Sequence, residues 1–340
     1  MRRRSDVLLV SPTSRGLGGI ARHVSELASH LTAAGYSVAV ISSENTPIIN
    51  VKGLKNPSFM ITSMSKAVFH ESTVIHAHSI PSSFAMKIAS SKRRVLTIHG
   101  VYAEQVSLLH GGVVGRVASF LEKKSIKWAD VVTAVSLTAV EAYRRMGVDA
   151  VYIPNAVEVD TKVEAKRLGS RQIVFVGRLS KEKNAEAVID LARKNLDAVF
   201  VIVGDGPERK TLEKKAEGLR NVVFTGAVEH REALGYIAGS DVLVLPSLVE
   251  GLSTVVLEAM ALKTPVVASS VGGNTEIIQN NETGILVQPN DLEQLAEAVT
   301  KLLEDIDYAE KIAEKAHQLC MEKFSWKTVF PQYLKVYGFA

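Results

Sequence analysis

Residues 173–184 read Ile-Val-Phe-Val-Gly-Arg-Leu-Ser-Lys-Glu-Lys-Asn: four apolar residues, a glycine, then a charged turn. A short β-branched run bounded by glycine reads as a buried strand, and the stretch from Asn184 onward carries helical spacing. The same strand–loop–helix unit recurs on both sides. Upstream, Asp6–Val10, Val38–Ile41, Thr73–Ile75, Val95–Ile98 and Val131–Ala134 predict strands with helices between, including one over Ile20–Ala33. Downstream come Val199–Val203, Val222–Phe224, Val242–Leu245 and Val266–Ala268. Alternation at this spacing predicts parallel sheets with helices on both faces. A break near residues 154–170 divides the series. The expected fold class is therefore α/β, with two Rossmann-like, doubly wound domains facing across a cleft. From Asp291 to Val336 the pattern is helical, interrupted near Asp305 and at Phe324-Ser325.

With 340 residues, 46% of them hydrophobic and 22% charged, the chain can bury two cores, and its composition excludes disorder and collagen-like repeats. A single cysteine, Cys320, rules out a disulfide scaffold and points to a reducing compartment. No apolar run approaches the roughly 18–20 residues that cross a bilayer. Met1–Arg4 is basic, but Val7–Val10 is too short an apolar stretch for a signal peptide. A cytoplasmic protein is expected. Charge is uneven: residues 1–160 hold 18 Lys and Arg against 11 Asp and Glu, the remainder 22 against 25. That asymmetry suits an anionic partner for the first half, and a solvated surface equally. Val113, Val117, Phe120, Leu121 and Trp128 recur at helical spacing among Arg116, Lys123, Lys124 and Lys127. Such a basic amphipathic helix either packs on its own sheet or lies on an anionic membrane at the inner face. No nucleic-acid partner is expected.

In open α/β sheets ligands bind beyond the carboxyl ends of the strands, so the loops there hold the chemistry. Arg15-Gly16-Leu17-Gly18-Gly19 leaves the first strand and opens a helix, a place where free N–H groups favour an anion. With Ala21 it also makes a weak match to G-x-G-x-x-G/A, whose ribose-binding carboxylate would be Glu44. His76 and His78 end one strand and point to the same side, and His99-Gly100 ends another. These histidines read as core or hinge residues or as substrate contacts, His99 foremost. A metal is not expected, because no Asp, Glu or Cys neighbours them in sequence. Gly177–Asn184 brings Arg178 and Lys183 to a helix N-terminus, a combination suited to a diphosphate, without P-loop spacing. Pro246–Ala261 places Glu250 before a helix beginning near Ser253 or Thr254, and Glu258 in its second turn. Ionised carboxylates accept hydrogen bonds only, which suits sugar hydroxyls. Gly272-Gly273 forms another glycine loop, and Gly204-Asp205-Gly206-Pro207 predicts a turn with Pro207 at the first helical position.

Taken together, these motifs resemble the retaining glycosyltransferases of family 4, which have the GT-B fold. The pieces that match are Pro246-Ser247-x-x-Glu250-Gly251 with Glu258-Ala259-Met260-Ala261, Gly177-Arg178 with Lys183-Asn184, Ile153-Pro154-Asn155, Gly18-Gly19, and Gly272-Gly273 with Glu276. They fall in register over nearly the whole chain. The resemblance implies a nucleotide-sugar donor held mainly by a C-terminal donor domain, residues 155–325. Residues 1–154, with a final helix from 326 crossing back, would form the acceptor domain. Glu258 would bind the ribose, Glu250 the transferred sugar, and Arg178 and Lys183 the diphosphate, helped by the Gly18-Gly19 amides. Gly251, Leu252, Ser253 and Thr254 would line the donor, His99 would stand near its sugar, and His76, His78 and Gly273 would lie in the sugar or acceptor vicinity. No cofactor or metal is implied, and the acceptor is a hydroxyl of unspecified identity.

Two rivals differ in class. A nucleotide-dependent oxidoreductase would rest on the Gly16 loop, and it leaves Glu250 to Glu276 unused. A non-catalytic sugar-nucleotide-binding protein would bind donor without turnover.

Overall fold

The computed structural model describes residues 3–339 except 15–17, 50, 52–53, 101–111, 159–162 and 195–196, with the side chains of 112–114 also outside it. Arg15, Gly16 and Leu17 of the first loop, and the Val113 side chain, therefore lie outside the described residues. The chain divides into two compact units, Met1–Pro154 with Val329–Ala340, and Asn155–Thr328. Among the described residues each unit contains one six-stranded parallel sheet.

In the first unit β1 (Arg3–Ser11), β2 (Val38–Ser42), β3 (His70–His78), β4 (Ser90–Ile98), β5 (Val131–Ala134) and β6 (Ala150–Tyr152) line up as β2-β1-β3-β4-β5-β6. Val7 to Val10 are fully buried, as expected for a central strand covered on both faces. Val7 pairs with Val38 on one side and Val74 on the other. Helix α1 (Gly19–Ala33) buries Ala21, His23, Val24, Leu27 and Leu31, one face at spacings of three and four. Helices α2 (Lys55–Ala67), α3 (Ser83–Ile88), α4 (Gly112–Ile126) and α5 (Leu137–Arg145) complete the layers.

The second unit holds β7 (Gln172–Val176), β8 (Val199–Val203), β9 (Val222–Gly226), β10 (Val242–Leu245), β11 (Val266–Ser269) and β12 (Ile285–Val287), ordered β12-β11-β10-β7-β8-β9. Its helices are α6 (Ala185–Lys194), α7 (Arg209–Lys215), α8 (His230–Ala238), α9 (Thr254–Ala261), α10 (Asn274–Ile277), α11 (Leu292–Glu304) and α12 (Ile306–Lys323). Helix α13 (Trp326–Tyr337) follows, its residues from Val329 belonging to the first unit. The second sheet has the dinucleotide-fold order, first strand central and order reversing between β7 and β10. The first sheet is wound differently, reversing between β1 and β3. Both are doubly wound.

The apolar runs marked only part of several strands. β1, β3 and β4 extend backward through Arg3, His70 and Ser90, where polar residues pair in register. β6 and β12 are three-residue edge strands too short for a hydrophobic signature. Pro207 is a correction. α7 begins at Arg209, so the proline sits in the preceding turn and not at the first helical position. Gly206 explains that turn, because a Cβ there would fall 2.3 Å from the Leu179 carbonyl oxygen.

A polar network lies inside the first unit. His76 Nδ1 lies 2.6 Å from the Tyr337 hydroxyl and its Nε2 2.6 Å from Thr97 Oγ1, which in turn meets Thr133 Oγ1 at 2.6 Å. Tyr333 reaches His23 Nε2 at 3.0 Å. Burial disfavours the charged ring, holding His23 at about 4 and His76 and His78 well below the ordinary value. The unfolded chain takes up a proton at His23 near pH 6.5, and the folded form refuses it until about pH 4. Stability from His23 is therefore whole above pH 6.5 and lost as pH falls toward 4, and His76 and His78 act in the same direction. Urea midpoints taken across that window should fall steadily on acidification, with a shallower slope in His23→Gln. A flat profile between pH 7 and 5 would contradict it.

Candidate functional site

The loops leaving β7 and β10 flank the strand-order reversal of the second unit, and they meet. After β7, Lys181–Lys183 makes one tight turn that ends on Asn184 at φ 51°, and α6 starts one residue later. That turn carries Lys183 toward the β10 loop, where its Nζ lies 2.6 Å from Glu250 Oε1. Ser247 donates to the same oxygen at 2.7 Å, and the Leu248 amide donates to the Glu182 carbonyl at 2.8 Å. The Glu250 side chain is 6% exposed and that of Lys183 26%. Removing either partner would leave the other charge partly desolvated. Arg178 differs: it is exposed and carries no ion pair among the described residues.

The third loop explains its own glycines. A Cβ on Gly272 would fall 2.0 Å from the Glu250 carbonyl oxygen, and one on Gly273 2.1 Å from that of Gly251. Gly273 also donates its amide to Gly251 at 2.7 Å. The Gly272-Gly273 backbone thus lies directly on the Glu250 loop, at a distance no side chain permits. On the other flank Asn155 Nδ2 donates to the Leu252 carbonyl at 2.8 Å. Ser253 precedes α9 in an extended conformation, and its hydroxyl makes no capping bond. The first amides of α9 therefore gain no side-chain acceptor from Ser253.

One turn into α9, Glu258 is buried and bonded to His230 Nε2 at 2.8 Å. Sequence reading missed His230. It stands on the first residue of α8, and only its position after β9, at the carboxyl end of the sheet, hinted at a role.

In the first unit the structure collects His76, His78 and His99 around an unforeseen fourth ring, His23. The His76 and His78 centroids are 4.0 Å apart, and His78 Nδ1 meets His99 Nε2 at 3.1 Å. The His23 ring lies 5.4 Å from that of His99. The four-residue spacing His23-Leu27-Leu31 was the available signal, since it places His23 on the buried face of α1. His76 has both ring nitrogens bonded inside the core; His99 is half-buried. Gly18 precedes α1 at φ 150°, with open space where a Cβ would point. Glu44, the carboxylate of the fingerprint reading, accepts bonds from the Ser14 amide and hydroxyl, each at 3.2 Å.

Residues 157–319 match the family model described as glycosyl transferases group 1, and residues 17–161 that of glycosyltransferase family 4. The alpha-D-kanosaminyltransferase of Streptomyces kanamyceticus is 31% identical over 294 residues, covering 77% of this chain and 76% of that protein. The chain belongs to the group 1 glycosyltransferases. Among its relatives, the alpha-maltose-1-phosphate synthase of Mycolicibacterium smegmatis is 33% identical, with 78% of each chain covered. The fold of this glycosyltransferase is that of sucrose-phosphate synthase from Thermosynechococcus elongatus, with a TM-score of 0.83, 21% identity, and coverage of 99% and 98%. It is also that of Anabaena HepE in complex with UDP and glucose, with a TM-score of 0.77, 20% identity, and coverage of 98% and 99%.

In this glycosyltransferase the backbone contact at Gly273 predicts a sharp asymmetry among glycines. Gly273→Ala forces the Glu250 loop to move and should cost about 2–3 kcal/mol. Gly218→Ala, at φ 85° in open space, should cost about 1 kcal/mol. Urea unfolding of both variants measures this, and equal losses would refute the brace.

Proposed function

We propose that this glycosyltransferase moves a sugar, with retention of configuration and without a metal, from a nucleoside-diphosphate sugar to an acceptor hydroxyl. The observation that carries the reading is the Lys183–Glu250–Ser247 cluster at the strand-order reversal, with uncommitted Arg178 on the same β7 loop. HepE, described in complexes with UDP and with UDP-glucose, lends support for the donor class.

In this reading the bond from the anomeric carbon to the diphosphate oxygen breaks, and the acceptor oxygen bonds on the same face. The acceptor proton ends on the released diphosphate. Arg178 and Lys183 meet the charge that develops there, where fixed cations stabilise the transition state most. Glu258 receives the ribose hydroxyls and Glu250 those of the transferred sugar. Gly18, Gly19 and His99 are assigned to the donor in this reading, and His76 and His78 to the sugar or acceptor vicinity, His78 meeting His99 at 3.1 Å.

Thermal shift against UDP, GDP, ADP, dTDP and CDP tests the donor site. A ligand at 100 times its Kd stabilises by about 2.7 kcal/mol. One nucleotide should raise the midpoint, and Glu258→Ala should abolish the shift. Glu250→Ala should lower transfer more than nucleotide affinity. Equal loss of affinity in both would overturn the division of roles. NMR of the product anomer, with and without EDTA, tests retention and metal independence.

The acceptor side carries a second expectation. Among the described residues no helix is long and apolar enough to cross a membrane. On α4, however, Val117 is 56% and Phe120 62% exposed, and Lys124 lies over the Phe120 ring. Leu121, and Trp128 just past the helix, instead pack against the core, so the helix shows two apolar faces, one inward and one bare. We propose that the bare face, flanked by Arg116, Lys123 and Lys124, contacts an anionic membrane at the cytoplasmic face. Phe120→Ser with Lys124→Glu should release the protein from anionic vesicles in cosedimentation. Equal recovery of wild type from neutral and anionic vesicles would sink the idea.

A further inference from the structure

Glu258 sits in a position that is costly for a carboxylate, its side chain only 7% exposed on the second turn of α9. Among the described residues the one group bonded to that carboxylate is the His230 ring, at 2.8 Å from Oε1. An ionised carboxylate can only accept, so His230 Nε2 carries the hydrogen and donates it. The ring belongs to the first residue of α8, and the carboxylate it holds therefore lies by the amino end of that helix, where negative charge is stabilised. His230 reaches Glu258 from a different loop and a different helix, and its side chain remains 31% exposed. This is a buried acceptor oriented by one donor, with its remaining lone pairs uncommitted.

We infer that His230 is the positioning residue that makes the Glu258 carboxylate selective for a ribose over a deoxyribose. The inference rests on the donor-site reading above. A carboxylate offers about four acceptor directions, and the His230 bond occupies one of them. That bond also fixes the rotation of the carboxylate on a side chain with several free torsions. The directions left over suit a vicinal diol, which brings two donors side by side. A nucleotide lacking the 2′-hydroxyl would leave a desolvated oxygen without its partner, the kind of mismatch that discriminates strongly. Without His230 the carboxylate regains its rotamers, and the ribose bond is no longer preorganised.

The test is calorimetric titration of the full chain with UDP, GDP and ADP, each against its 2′-deoxy counterpart. The variants are His230→Gln, His230→Leu, Glu258→Gln and the double variant His230→Leu with Glu258→Gln, with thermal midpoints to show that each is folded. Wild type should prefer the ribonucleotide it binds by about tenfold to a hundredfold. His230→Leu should bring that ratio toward one by weakening the ribonucleotide alone. His230→Gln, whose amide keeps a donor, should restore most of it. In the Glu258→Gln background, His230→Leu should change nothing further. A folded His230→Leu variant that keeps the wild-type ratio, or that loses both sugar forms equally, overturns this inference and leaves the donor site standing. If none of the three ribonucleotides binds wild type, the donor-site reading itself fails and this inference with it.

Discussion

Between β7 and β10 the strand order of the second sheet reverses, and what is chemically distinctive in that unit hangs on the two loops leaving those strands. Parallel strands with helices on opposite faces diverge at such a point and leave a crevice. The Lys183–Glu250 pair, with Ser247 on the same oxygen, bridges that divergence. Because Glu250 is almost wholly buried, its carboxylate is tolerable only while those donors stay in place. The Gly272-Gly273 backbone presses on the loop from one side, and the Asn155 amide holds it at Leu252 from the other. The Glu250 loop is thus held from both sides, and its carboxylate is aimed by charge.

The first unit solves a different problem. Strong hydrophobic strands would suffice for its core, yet it buries two hydrogen-bonded polar groups, Tyr337–His76–Thr97–Thr133 and Tyr333–His23. Such a network stabilises only when its members are satisfied, because an unpaired buried donor costs more than a made bond returns. Placing two tyrosines of α13 against two of these histidines makes the end of the chain part of the core of its beginning. The specificity of that arrangement is directional: an apolar helix could slide, whereas Tyr337 must meet His76.

Much of this was legible because the physics is local. Runs such as Val199–Val203 and Val242–Leu245 can be read as buried strands without knowing their neighbours, and Asp305 and Phe324-Ser325 mark helix ends by composition. Strand order was not legible, since β3 lies beside β1 for reasons of whole-sheet packing that no segment encodes. The β7 and β10 loops could be nominated from glycine, charge and position after a strand. That Lys183 binds Glu250 could not, because 67 residues separate them and only the sheet brings them together. His230 escaped for the same reason: its meaning comes from a helix 28 residues away. The two faces of α4 show a subtler failure. Phe120 and Leu121 are adjacent in sequence, so a helix points them about 100° apart, and one apolar cluster becomes a packed face and a bare one.

The division between the two cations has a consequence for how charge is handled. Lys183 is compensated by Glu250 before any ligand arrives, so its net field at the crevice is weak; Arg178 carries no ion pair among the described residues and is solvated. In the proposed reading a dianionic diphosphate entering beside them would draw first on Arg178, whose guanidinium is less strongly hydrated than an ammonium and matches phosphate in a planar fork. Lys183 then serves two carriers of negative charge through one ammonium with three donors, the carboxylate and the phosphate. If Glu250 turns toward a sugar hydroxyl, the share of Lys183 available to the diphosphate rises at the same moment. The proposed site therefore couples sugar recognition to leaving-group stabilisation through one shared cation, which strengthens the interaction where the transition state needs it rather than in the ground state.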